Sequence, residues 1–578
     1  MSSIKQHLSD VVAGAINQAT GLENSNANVI TASKPEFGDY QANGVMAIAK
    51  QQKTNPRELA ARVIEHIDCE ADQFIDRVEI AGPGFINIHL SSTALQQAAN
   101  AAINDPELLV AKTSEPKKIA VDYSSPNLAK EMHVGHLRGT IIGDCLVRIL
   151  ERLGHQVVRQ NHVGDWGTQF GMLITYMQEL SADESALSAG LSDLENFYRA
   201  AKDKFDNDPV FADTARKSVV KLQSGDPEHL AAWEQFIDES LKHCEALYDK
   251  LGVSLSRKDL DAESRYNDDL PKVIADLESR NLLTESEGAR CVFLDEFKGK
   301  EGDPLPLIVQ KSDGGFLYST TDLAAVRLRV KEQIDRSLYV VDARQSLHFQ
   351  QVFAVARAAG FADDNISLEH IAYGTMMGSD GRPFKTRSGD VVKLIDLLDE
   401  SVRRAHVIVS EKNPSLSEDE RQLVAQRVGI AAVKYADLSK NRTSDYIFDW
   451  STMLSFEGNT APYLLYAYAR IRSILRKAPD SAITETIRDA GTAEERGLML
   501  KTLQLPEVLE AVAKDCFPNQ LCNYLYELSG LFMRFYEACP ILKADEDTMN
   551  SRLALCQLTA STLQTGLELL GIETLEQM

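Results

Sequence analysis

The stretch Ser124-Ser-Pro-Asn-Leu-Ala-Lys-Glu-Met-His-Val-Gly-His-Leu-Arg138 decides the fold, together with its flanks. The apolar run Ile119-Ala-Val-Asp-Tyr123 precedes it, and apolar residues at helical spacing follow it as far as Gly154. The pattern predicts a strand, a loop and a helix. The loop therefore lies at a helix N-terminus, where free backbone N–H groups and the helix dipole favour a phosphate group.

His133, Gly135 and His136 form the centre of this loop. Gly135 leaves room for a ligand close to the backbone, and two imidazoles can donate hydrogen bonds to phosphate oxygens whose charge changes during transfer. Two histidines that only cap or pack the start of a helix would have the same spacing. We interpret the stretch as an ATP site for adenylyl transfer, and the rest of the chain has to decide what is adenylylated.

The size and composition of the chain are those of a globular protein with several domains. Its 578 residues, 44% hydrophobic and 25% charged, allow three or four domains. Without a long apolar run or a signal-peptide pattern, we expect a cytoplasmic protein with no membrane contact. The net charge of −24 argues against a protein that coats nucleic acid without specificity, although a local basic face can still bind RNA.

The eight cysteines are scattered, with no Cys-x-x-Cys pair and no Cys/His cluster at zinc spacing. We expect them to be reduced and mostly buried. Neither a disulfide nor a structural metal is therefore expected to hold the domains together.

Residues 1–110 alternate helical and strand patterns. Helices are predicted near Ile4–Thr20 and Pro56–Ile67, and two strands joined at Gly82-Pro-Gly84 are predicted within Val78–Leu90. We interpret this part as a compact α+β module.

The next part of the chain predicts a sheet of parallel strands. After the first strand come runs at Gln156–Arg159, Leu305–Gln310 and Ser337–Asp342. Residues 181–304 are charged and helix-rich, and we interpret them as an inserted domain whose charge runs are solvated helix faces.

Polar side chains follow three of these strands, at Asp122 to His136, Tyr318 to Asp322 and Asp342 to His348. Because the carboxyl ends of parallel strands meet at one edge, we expect them to converge on one crevice at a topological switch point. A helix N-cap is predicted at Thr320 or Thr321. Asp322 then falls in the first helical turn, where a carboxylate can also serve only to stabilise the helix dipole.

Two loops add candidate ligands. Asn161-His-Val-Gly-Asp-Trp-Gly-Thr-Gln-Phe-Gly171 follows the second strand and either binds a ligand or makes a tight turn with its tryptophan in the core. Ser379–Asp390 carries Arg382, Lys385 and Arg387. A mobile basic loop can clamp a polyphosphate, although a surface hairpin with incidental cations fits as well.

The last part of the chain predicts almost only helices. Within it Tyr463, Tyr466 and Arg470 fall at i, i+3 and i+7 of one helix. This composition suits stacking on bases and contact with phosphates, and a tyrosine-lined interface between helices fits the same spacing.

Five motifs, in this order and spacing, together resemble the arginyl-tRNA synthetase family of bacterial type, a class I aminoacyl-tRNA synthetase family. They are Ser124–Arg138, Gly164-Asp-Trp-Gly-Thr-Gln-Phe-Gly171, Tyr318-x-Thr-Thr-Asp322, Asp342-x-Arg-Gln-x-x-His348 and Glu457-Gly-Asn-Thr-Ala-Pro-Tyr-x-x-Tyr-Ala-x-Ala-Arg470. The resemblance spans nearly the whole chain. It implies ATP-dependent activation of L-arginine to arginyl-adenylate and transfer to tRNA(Arg), with Mg²⁺ accompanying ATP and tRNA usually needed for activation.

In fold terms the resemblance implies an α/β enzyme with four parts. They are an N-terminal α+β module at 1–110 that contacts tRNA, a Rossmann-like parallel-sheet catalytic domain at 111–400 with its insertion at about 181–304, a helical connecting segment at 401–455 and an all-α anticodon-binding domain at 456–578.

The resemblance also implies roles for single residues. It places ATP at His133, Gly135, His136, Met376, Met377 and Lys385, arginine at Asp122, Ser124, Asn127, Tyr318, Asp322 and Gln345, and tRNA at Tyr463, Tyr466 and Arg470. Asp322 and Tyr318 can accept the five-donor guanidinium fork, and Asp122 can hold the ammonium group. Lysine would fit this pocket poorly, because it lacks the fork.

One loop departs from the class I pattern. Where Lys-Met-Ser-Lys-Ser-type loops often carry a second lysine, Pro383-Phe-Lys-Thr-Arg-Ser-Gly389 has a serine. We expect Lys130, three residues before His133, to supply the missing catalytic cation, with Lys385 and Arg387 assisting.

Two other functions share part of this pattern. A small-molecule nucleotidylyltransferase would need neither terminal module, and the tyrosine- and arginine-bearing C-terminal helix argues against it. A catalytically silent RNA-binding relative would be expected to have lost His133, His136, Asp322 or Lys385, and the sequence retains all four. We therefore expect an enzyme that acts as a monomer on tRNA(Arg), L-arginine and ATP.

Overall fold

The structure, a computed structural model, describes residues 3–180, 193–299, 301–384, 392–479 and 485–578. The chain divides into two compact units, which are described separately. The terminal unit comprises Met1–Thr113, Ser455–Leu569 and Glu573–Met578, and the central unit comprises Ser114–Leu454 and Leu570–Ile572.

The N-terminal part of the terminal unit is the predicted α+β module. Its elements are α1 (Ile4–Thr20), β1 (Val29–Thr31), β2 (Tyr40–Ala42), α2 (Gly44–Gln52), α3 (Pro56–Ile64), β3 (Ile75–Ala81), β4 (Phe85–Leu90) and α4 (Ser92–Ile103). The strands form an antiparallel sheet of order β1-β2-β4-β3, and β3 and β4 form the predicted hairpin. Gly82 and Gly84 have φ values of 51° and 143°, which explains why glycines make this turn.

The central unit contains the parallel sheet. Its elements are β5 (Lys118–Asp122), α5 (Leu137–Arg152), β6 (Gln156–Gln160), α6 (Thr168–Leu180), α7 (Leu194–Asn207), α8 (Pro209–Gln223), α9 (Pro227–Leu251), α10 (Leu270–Ser279), β7 (Leu283–Ser286), β8 (Ala289–Val292), β9 (Leu307–Gln310), α11 (Tyr318–Lys331), β10 (Arg336–Tyr339), α12 (Ser346–Ala358), β11 (Ser367–His370), β12 (Met376–Met377), α13 (Leu394–Lys412), α14 (Glu418–Leu438), β13 (Tyr446–Ile447) and α15 (Trp450–Met453).

The parallel sheet has the order β11-β10-β5-β6. The chain leaves β5 for β6 on one side and later returns to β10 and β11 on the other. The topological switch point therefore lies between β5 and β10, at the strand ends that carry Asp122 and Asp342. Gly143 lets α5 pack closely against Tyr123, the residue directly after β5, because a Cβ atom at position 143 would be 2.2 Å from the Cβ of Tyr123.

The prediction that Leu305–Gln310 continues the parallel sheet is wrong. β9 pairs antiparallel with β8, which pairs antiparallel with β7. A short apolar run indicates that a strand forms but not which strand it pairs with, because that choice depends on contacts far along the chain. Val309 of β9 nevertheless shares one buried core with Ala120 of β5 and Leu323 of α11.

The predicted N-cap of α11 at Thr320 or Thr321 is also wrong, because the helix begins at Tyr318 with Leu317 as its N-cap. The hydroxyl of Ser319 donates to the carbonyl of Ile308 at 2.5 Å, and that of Thr320 donates to the carbonyl of Val309. These threonine and serine side chains therefore tie the helix to β9 instead of capping it. Asp322 lies beyond the first turn.

The C-terminal part of the terminal unit has helices and no strand among its described residues, as predicted. Its helices are α16 (Ala461–Lys477), α17 (Ala493–Thr502), α18 (Leu505–Asp515), α19 (Asn519–Ala538) and α20 (Glu546–Leu569). Arg496 of α17 donates to both carboxylate oxygens of Asp39 at 2.7 and 2.8 Å, and the Tyr40 hydroxyl donates to Glu507 of α18 at 3.2 Å. The N-terminal module and these helices therefore pack together within one unit.

The last residues assigned to the central unit follow α20. Lys434 of α14 is 1% exposed, and its ammonium group donates to the carbonyls of Leu251 at 2.6 Å and Gly571 at 2.5 Å. Leu570–Ile572 is thereby fixed to α14 and to the end of α9. Searched over the described residues, no helix is both long and apolar enough to cross a membrane.

Candidate active site

His133 and His136 cap a short 3-10 helix, Val134–His136, that leads directly into α5. Nδ1 of His133 accepts the N–H of Gly135 at 3.0 Å, and Nδ1 of His136 accepts the N–H of His133 at 3.1 Å. A neutral ring that accepts on Nδ1 carries its proton on Nε2. Capping and phosphate binding are therefore compatible, because each ring uses one nitrogen for the backbone and keeps an Nε2–H donor for a ligand.

Both imidazoles are neutral at pH 7. Burial lowers the pKa of His136 to about 3, with a further contribution from His133. Burial also lowers the pKa of His133, and the positive charges of Lys130 and Arg344 add to this effect. A Cβ atom at Gly135 would lie 2.7 Å from Cε1 of His133, so this ring position requires glycine.

We expect the central unit to lose stability as the pH falls below 6.5. The pKa of His136 is about 3 in the folded protein and 6.5 ordinarily, so between these values the unfolded chain binds more protons. The loss from pH 7 to pH 5 should be about 1–2 kcal/mol.

Urea unfolding followed by tryptophan fluorescence measures this effect, since Trp166, Trp233 and Trp450 all belong to the central unit. His136→Gln should lose less stability between pH 7 and pH 5 than the wild type. An equal loss would contradict this assignment.

The loop after β5 begins with two serines in the left-handed region, Ser124 at φ 69° and Ser125 at φ 46°. The hydroxyl of Ser125 donates to Asp122 at 2.9 Å, and that of Ser124 lies 2.7 Å from the hydroxyl of Tyr248. Strained backbone persists where surrounding contacts hold it, and it is common at functional sites. The predicted contact of Ser124 with arginine remains a prediction, since its hydroxyl already bonds Tyr248.

Asp122 has a cationic partner inside the protein. Arg329, whose side chain is fully buried, donates to Oδ2 of Asp122 at 2.7 Å and lies over the ring of Tyr339. The charge of Asp122 is therefore compensated before any substrate arrives. Its predicted bond to the ammonium group of arginine stays a prediction, and holding the β5 loop through Ser125 is the role visible in the structure.

Asn127 joins the two glycine-bearing loops. Its backbone forms an isolated parallel bridge with Gly164, and the next residue, Leu128, donates to the carbonyl of Gly164 at 2.9 Å. The Asn127 side chain accepts from the N–H of Ala129 at 2.9 Å. The Gly164–Gly171 motif thus lies beside the Ser124–Arg138 stretch, as a shared site requires.

Two predicted arginine ligands contact His348, and a third lies three residues before it in the chain. Asp322 Oδ2 is 2.6 Å from Nε2 of His348, and the ring of Tyr318 meets that of His348 edge to face at 4.8 Å. Gln345 ends a short 3-10 helix directly before α12, whose first turn carries His348. The side chain of Tyr318 is 63% exposed, unusual for a large aromatic residue and consistent with a binding surface.

The sequence did not reveal one wall of this crevice, which comes from the predicted insertion. The N–H groups of Asp261 and Glu263 donate to the carbonyls of Asn161 at 3.0 Å and Val163 at 3.1 Å, and Asp165 accepts from the N–H of Ser264 at 2.9 Å. The acidic run Asp261-Ala-Glu-Ser is the sequence sign of this wall. The prediction that the charge runs of residues 181–304 are solvated helix faces is wrong for this run, because Asp261 is 1% exposed.

The acidic side chains around His162 shift the protonation of their neighbours. Burial, with the nearby charges of Asp165 and Asp322, raises the pKa of Glu263 to about 7. Although burial opposes it, the carboxylate of Asp261, 3.9 Å away, and the charges of Asp122 and Asp322 raise the pKa of His162 to about 9. Asp122 and Asp322 therefore act on the same imidazole, whose protonated ring offsets part of their negative charge.

The residues that follow the predicted phosphate clamp lie beside His133. Lys385 and Arg387 fall within residues 385–391, outside the described residues. Just after them, the N–H of Val134 donates to the carbonyl of Val392, and the N–H of Leu394 donates to that of Met132, both at 3.0 Å. The end of the loop is thereby paired with the backbone around the ATP signature.

Met376 and Met377 form β12, which pairs in parallel with β13. The side chain of Met376 is 5% exposed. Contact of these two residues with ATP stays a prediction.

Comparisons with known proteins address the whole chain. Three family models match it: "tRNA synthetases class I (R), catalytic domain" over residues 98–450, "DALR anticodon binding domain" over 464–578 and "Arginyl tRNA synthetase N terminal domain" over 3–90. The first covers more than half of the chain. The chain belongs to the arginyl-tRNA synthetase family.

Relatives and solved structures agree with this family. The chain is 57% identical to the arginine–tRNA ligase of Laribacter hongkongensis and 56% identical to that of Hahella chejuensis, in each case over 100% of both chains. It is also similar to the crystal structure of arginyl-tRNA synthetase from Plasmodium falciparum, with 31% identity, a TM-score of 0.85 and complete coverage of both chains. The Thermus thermophilus arginyl-tRNA synthetase gives 25% identity and a TM-score of 0.82, again over 100% of both chains.

Lys130 is exposed and adjoins α7. We predict that it supplies a catalytic cation. Its ammonium group lies 4.2 Å from the centroid of the Tyr198 ring, and its charge contributes to the lowered pKa of His133. The structure therefore puts this cation near the ATP signature.

The predicted tRNA residues lie on α16 in the terminal unit. The ring of Tyr463 meets that of Tyr526 of α19 at 5.6 Å, which favours the interface between helices for this residue. Arg470 lies 4.4 Å from the ring of Tyr536 and hydrogen-bonds the hydroxyl of Tyr466, which is 37% exposed. Tyr466 and Arg470 line an open cleft, and their contact with tRNA remains a prediction for this synthetase.

No group of three or more His, Cys, Asp or Glu side chains is arranged to hold a metal ion in the described part of the chain.

Proposed function

We propose that the chain activates L-arginine with ATP to form arginyl-adenylate and transfers the arginyl group to tRNA(Arg), releasing AMP and pyrophosphate. The observation that carries this proposal is that groups suited to ATP and to arginine belong to the same compact unit. Neutral imidazoles with Nε2–H donors stand just before α5, and Asp122, at the end of the preceding strand, acts together with Asp322 on His162.

Activation needs no protein nucleophile. The carboxylate of arginine attacks the α-phosphorus of ATP, the bond to the β-phosphate oxygen breaks, and pyrophosphate leaves. The protein has to align these groups and stabilise the charge that develops on the phosphate oxygens. We assign that stabilisation to the Nε2–H groups of His133 and His136 and to the N-terminal N–H groups of α5.

Arginine is selected by its guanidinium group. We propose that Asp322 accepts from its N–H donors, that the exposed ring of Tyr318 covers its face and that the amide of Gln345 lies beside it. Asp122, Ser124 and Asn127 then shape the end of the pocket nearest the α-phosphate. Mg²⁺ is carried by ATP, and we assign it no protein ligand.

ATP–pyrophosphate exchange across the twenty amino acids, with and without tRNA, tests the proposal. We expect exchange with arginine and a strong increase when tRNA(Arg) is added. A preference for any other amino acid would overturn the proposed substrate, and nucleotide transfer without an amino acid would favour a nucleotidylyltransferase.

Lys130→Ala should lower the rate of pyrophosphate exchange by about 10- to 100-fold, because a cation near the β- and γ-phosphates would be lost. The KM for arginine should change little. Lys53→Ala, an exposed lysine in the terminal unit, serves as the control. Near-wild-type exchange in Lys130→Ala would remove Lys130 from the mechanism.

A further inference from the structure

One polar side chain in the arginine pocket has no role in the proposed function. Nε2 of His348 lies 2.6 Å from Oδ2 of Asp322, with exposed side-chain fractions of 13% and 16% respectively. Both groups are thus largely shielded from water, where a hydrogen bond to a charged partner is worth more than on an open surface.

The direction of this hydrogen bond follows from its partner. An ionised carboxylate can only accept, so Nε2 of His348 carries a proton and donates it to Asp322. The donor occupies one carboxylate oxygen, Oδ2, and leaves Oδ1 for a ligand. A guanidinium that enters the crevice therefore meets a carboxylate whose rotation about its last bond is already fixed.

The imidazole is itself held on two sides. The ring of Tyr318 meets it edge to face at 4.8 Å, and the ring of Phe349 packs at 5.3 Å. His348 lies in the first turn of α12, and this helix begins directly after Gln345. His348 thus links the two ends of the predicted guanidinium site, one on α11 and one at the start of α12.

We propose that His348 is a positioning residue for arginine recognition, which orients the carboxylate of Asp322 through its Nε2–H donor. This inference rests on the proposed function, since it assigns a task within the same pocket. Because His348 acts on a group that binds the guanidinium far from the reacting carboxylate, it affects substrate binding much more than the chemical step.

The test compares three substitutions in ATP–pyrophosphate exchange. His348→Leu removes the donor and should raise the KM for arginine by about 10- to 100-fold, the value of one hydrogen bond to a charged group. We expect kcat within about threefold of wild type and an unchanged KM for ATP. His348→Gln keeps an N–H donor at a similar reach and should restore the KM to within about fivefold of wild type.

His370→Leu provides the matched control. The ring of His370 also packs against Phe349, at 4.9 Å. Its Nε2, however, lies 3.0 Å from the backbone carbonyl of Val341. Removing it disturbs the packing without touching Asp322. Its KM for arginine should stay within about twofold of wild type.

A double variant separates action through Asp322 from independent binding. If His348 works only by orienting Asp322, then Asp322→Ala with His348→Leu should bind arginine as weakly as Asp322→Ala alone. Additive losses would mean that His348 contacts the substrate by itself, and would overturn the positioning role. Tryptophan fluorescence checks folding, and His348→Met replaces His348→Leu if the latter does not fold.

The remaining outcomes are distinct. If the wild type activates arginine and His348→Leu has a wild-type KM, or if His348→Gln is as impaired as His348→Leu, the positioning role fails while the proposed function stands. If the wild type does not activate arginine, the proposed function fails and takes this inference with it.

Discussion

Asp322→Asn should lower kcat/KM for L-arginine by roughly 10²- to 10⁴-fold, the largest functional loss that we expect from a single substitution. The carboxylate is only 16% exposed, so its attraction for a guanidinium is weakly screened by water. An amide in its place keeps the shape but removes the charge. It would also turn an N–H₂ group toward the donors of the substrate or of His348.

The loss should be specific to the amino acid. The KM for ATP should remain within about threefold of wild type, because the residues predicted to bind ATP lie just before α5 and not on α11. Asp313→Asn, an exposed carboxylate in the turn before α11, is the matched control and should behave as wild type. If Asp322→Asn retains more than a tenth of wild-type kcat/KM, the guanidinium binds elsewhere, and Glu263 becomes the next candidate.

Arg138→Met should destabilise the central unit by about 3–5 kcal/mol, the largest structural effect that we expect. Arg138 of α5 and Asp437 of α14 form a buried ion pair, with exposed side-chain fractions of 2% and 0% and a distance of 3.1 Å. Arg138 also donates to the carbonyl of Ser444 at 3.0 Å and lies 5.2 Å from the ring of Tyr446. Methionine would fill much of the space but leave Asp437 buried without its counter-charge.

Urea unfolding followed by tryptophan fluorescence measures this loss. Arg138→Met with Asp437→Leu should recover a large part of it, because neither residue then leaves a buried charge. Arg403→Met is the control. Arg403 pairs with Glu400 but is 65% exposed, and its loss should cost less than about 1 kcal/mol. Equal losses for Arg138→Met and Arg403→Met would show that the buried pair contributes no special stability.

Local patterns predicted the parts of the fold that depend on neighbouring residues. The helix that follows His136, the strand before Ser124 and the hairpin around Gly82 all form where periodicity and turn residues indicate them. The position of His133 and His136 just before a helix follows the same rule, because a helix N-terminus and its capping residues are adjacent in sequence.

Partners far apart in sequence were not predictable in the same way. The apolar run at β9 showed a strand but not its antiparallel partner β8. Nothing near Asp122 indicates that Arg329, over two hundred residues later, would compensate its charge. The acidic wall at Asp261 and Glu263 was missed for the same reason, since its burial depends on the backbone at Asn161 and Val163.

The domain boundaries at residues 110, 400 and 455 remain predictions made from the sequence. The compact units divide the chain differently, because Asp39 and Tyr40 bond Arg496 and Glu507 within one unit. Composition changes along the chain mark where a segment begins and ends, but not which other segment it packs against.

The assignment of Leu570–Ile572 to the central unit has a practical consequence for fragments of this protein. A single cut between residues 454 and 455 would produce two pieces, and each would still contribute residues to both compact units. The longer piece keeps Lys434 and the shorter keeps the carbonyl of Gly571 that it binds. Because each compact unit contains residues from both pieces, a nicked enzyme should migrate as a single species until it is denatured.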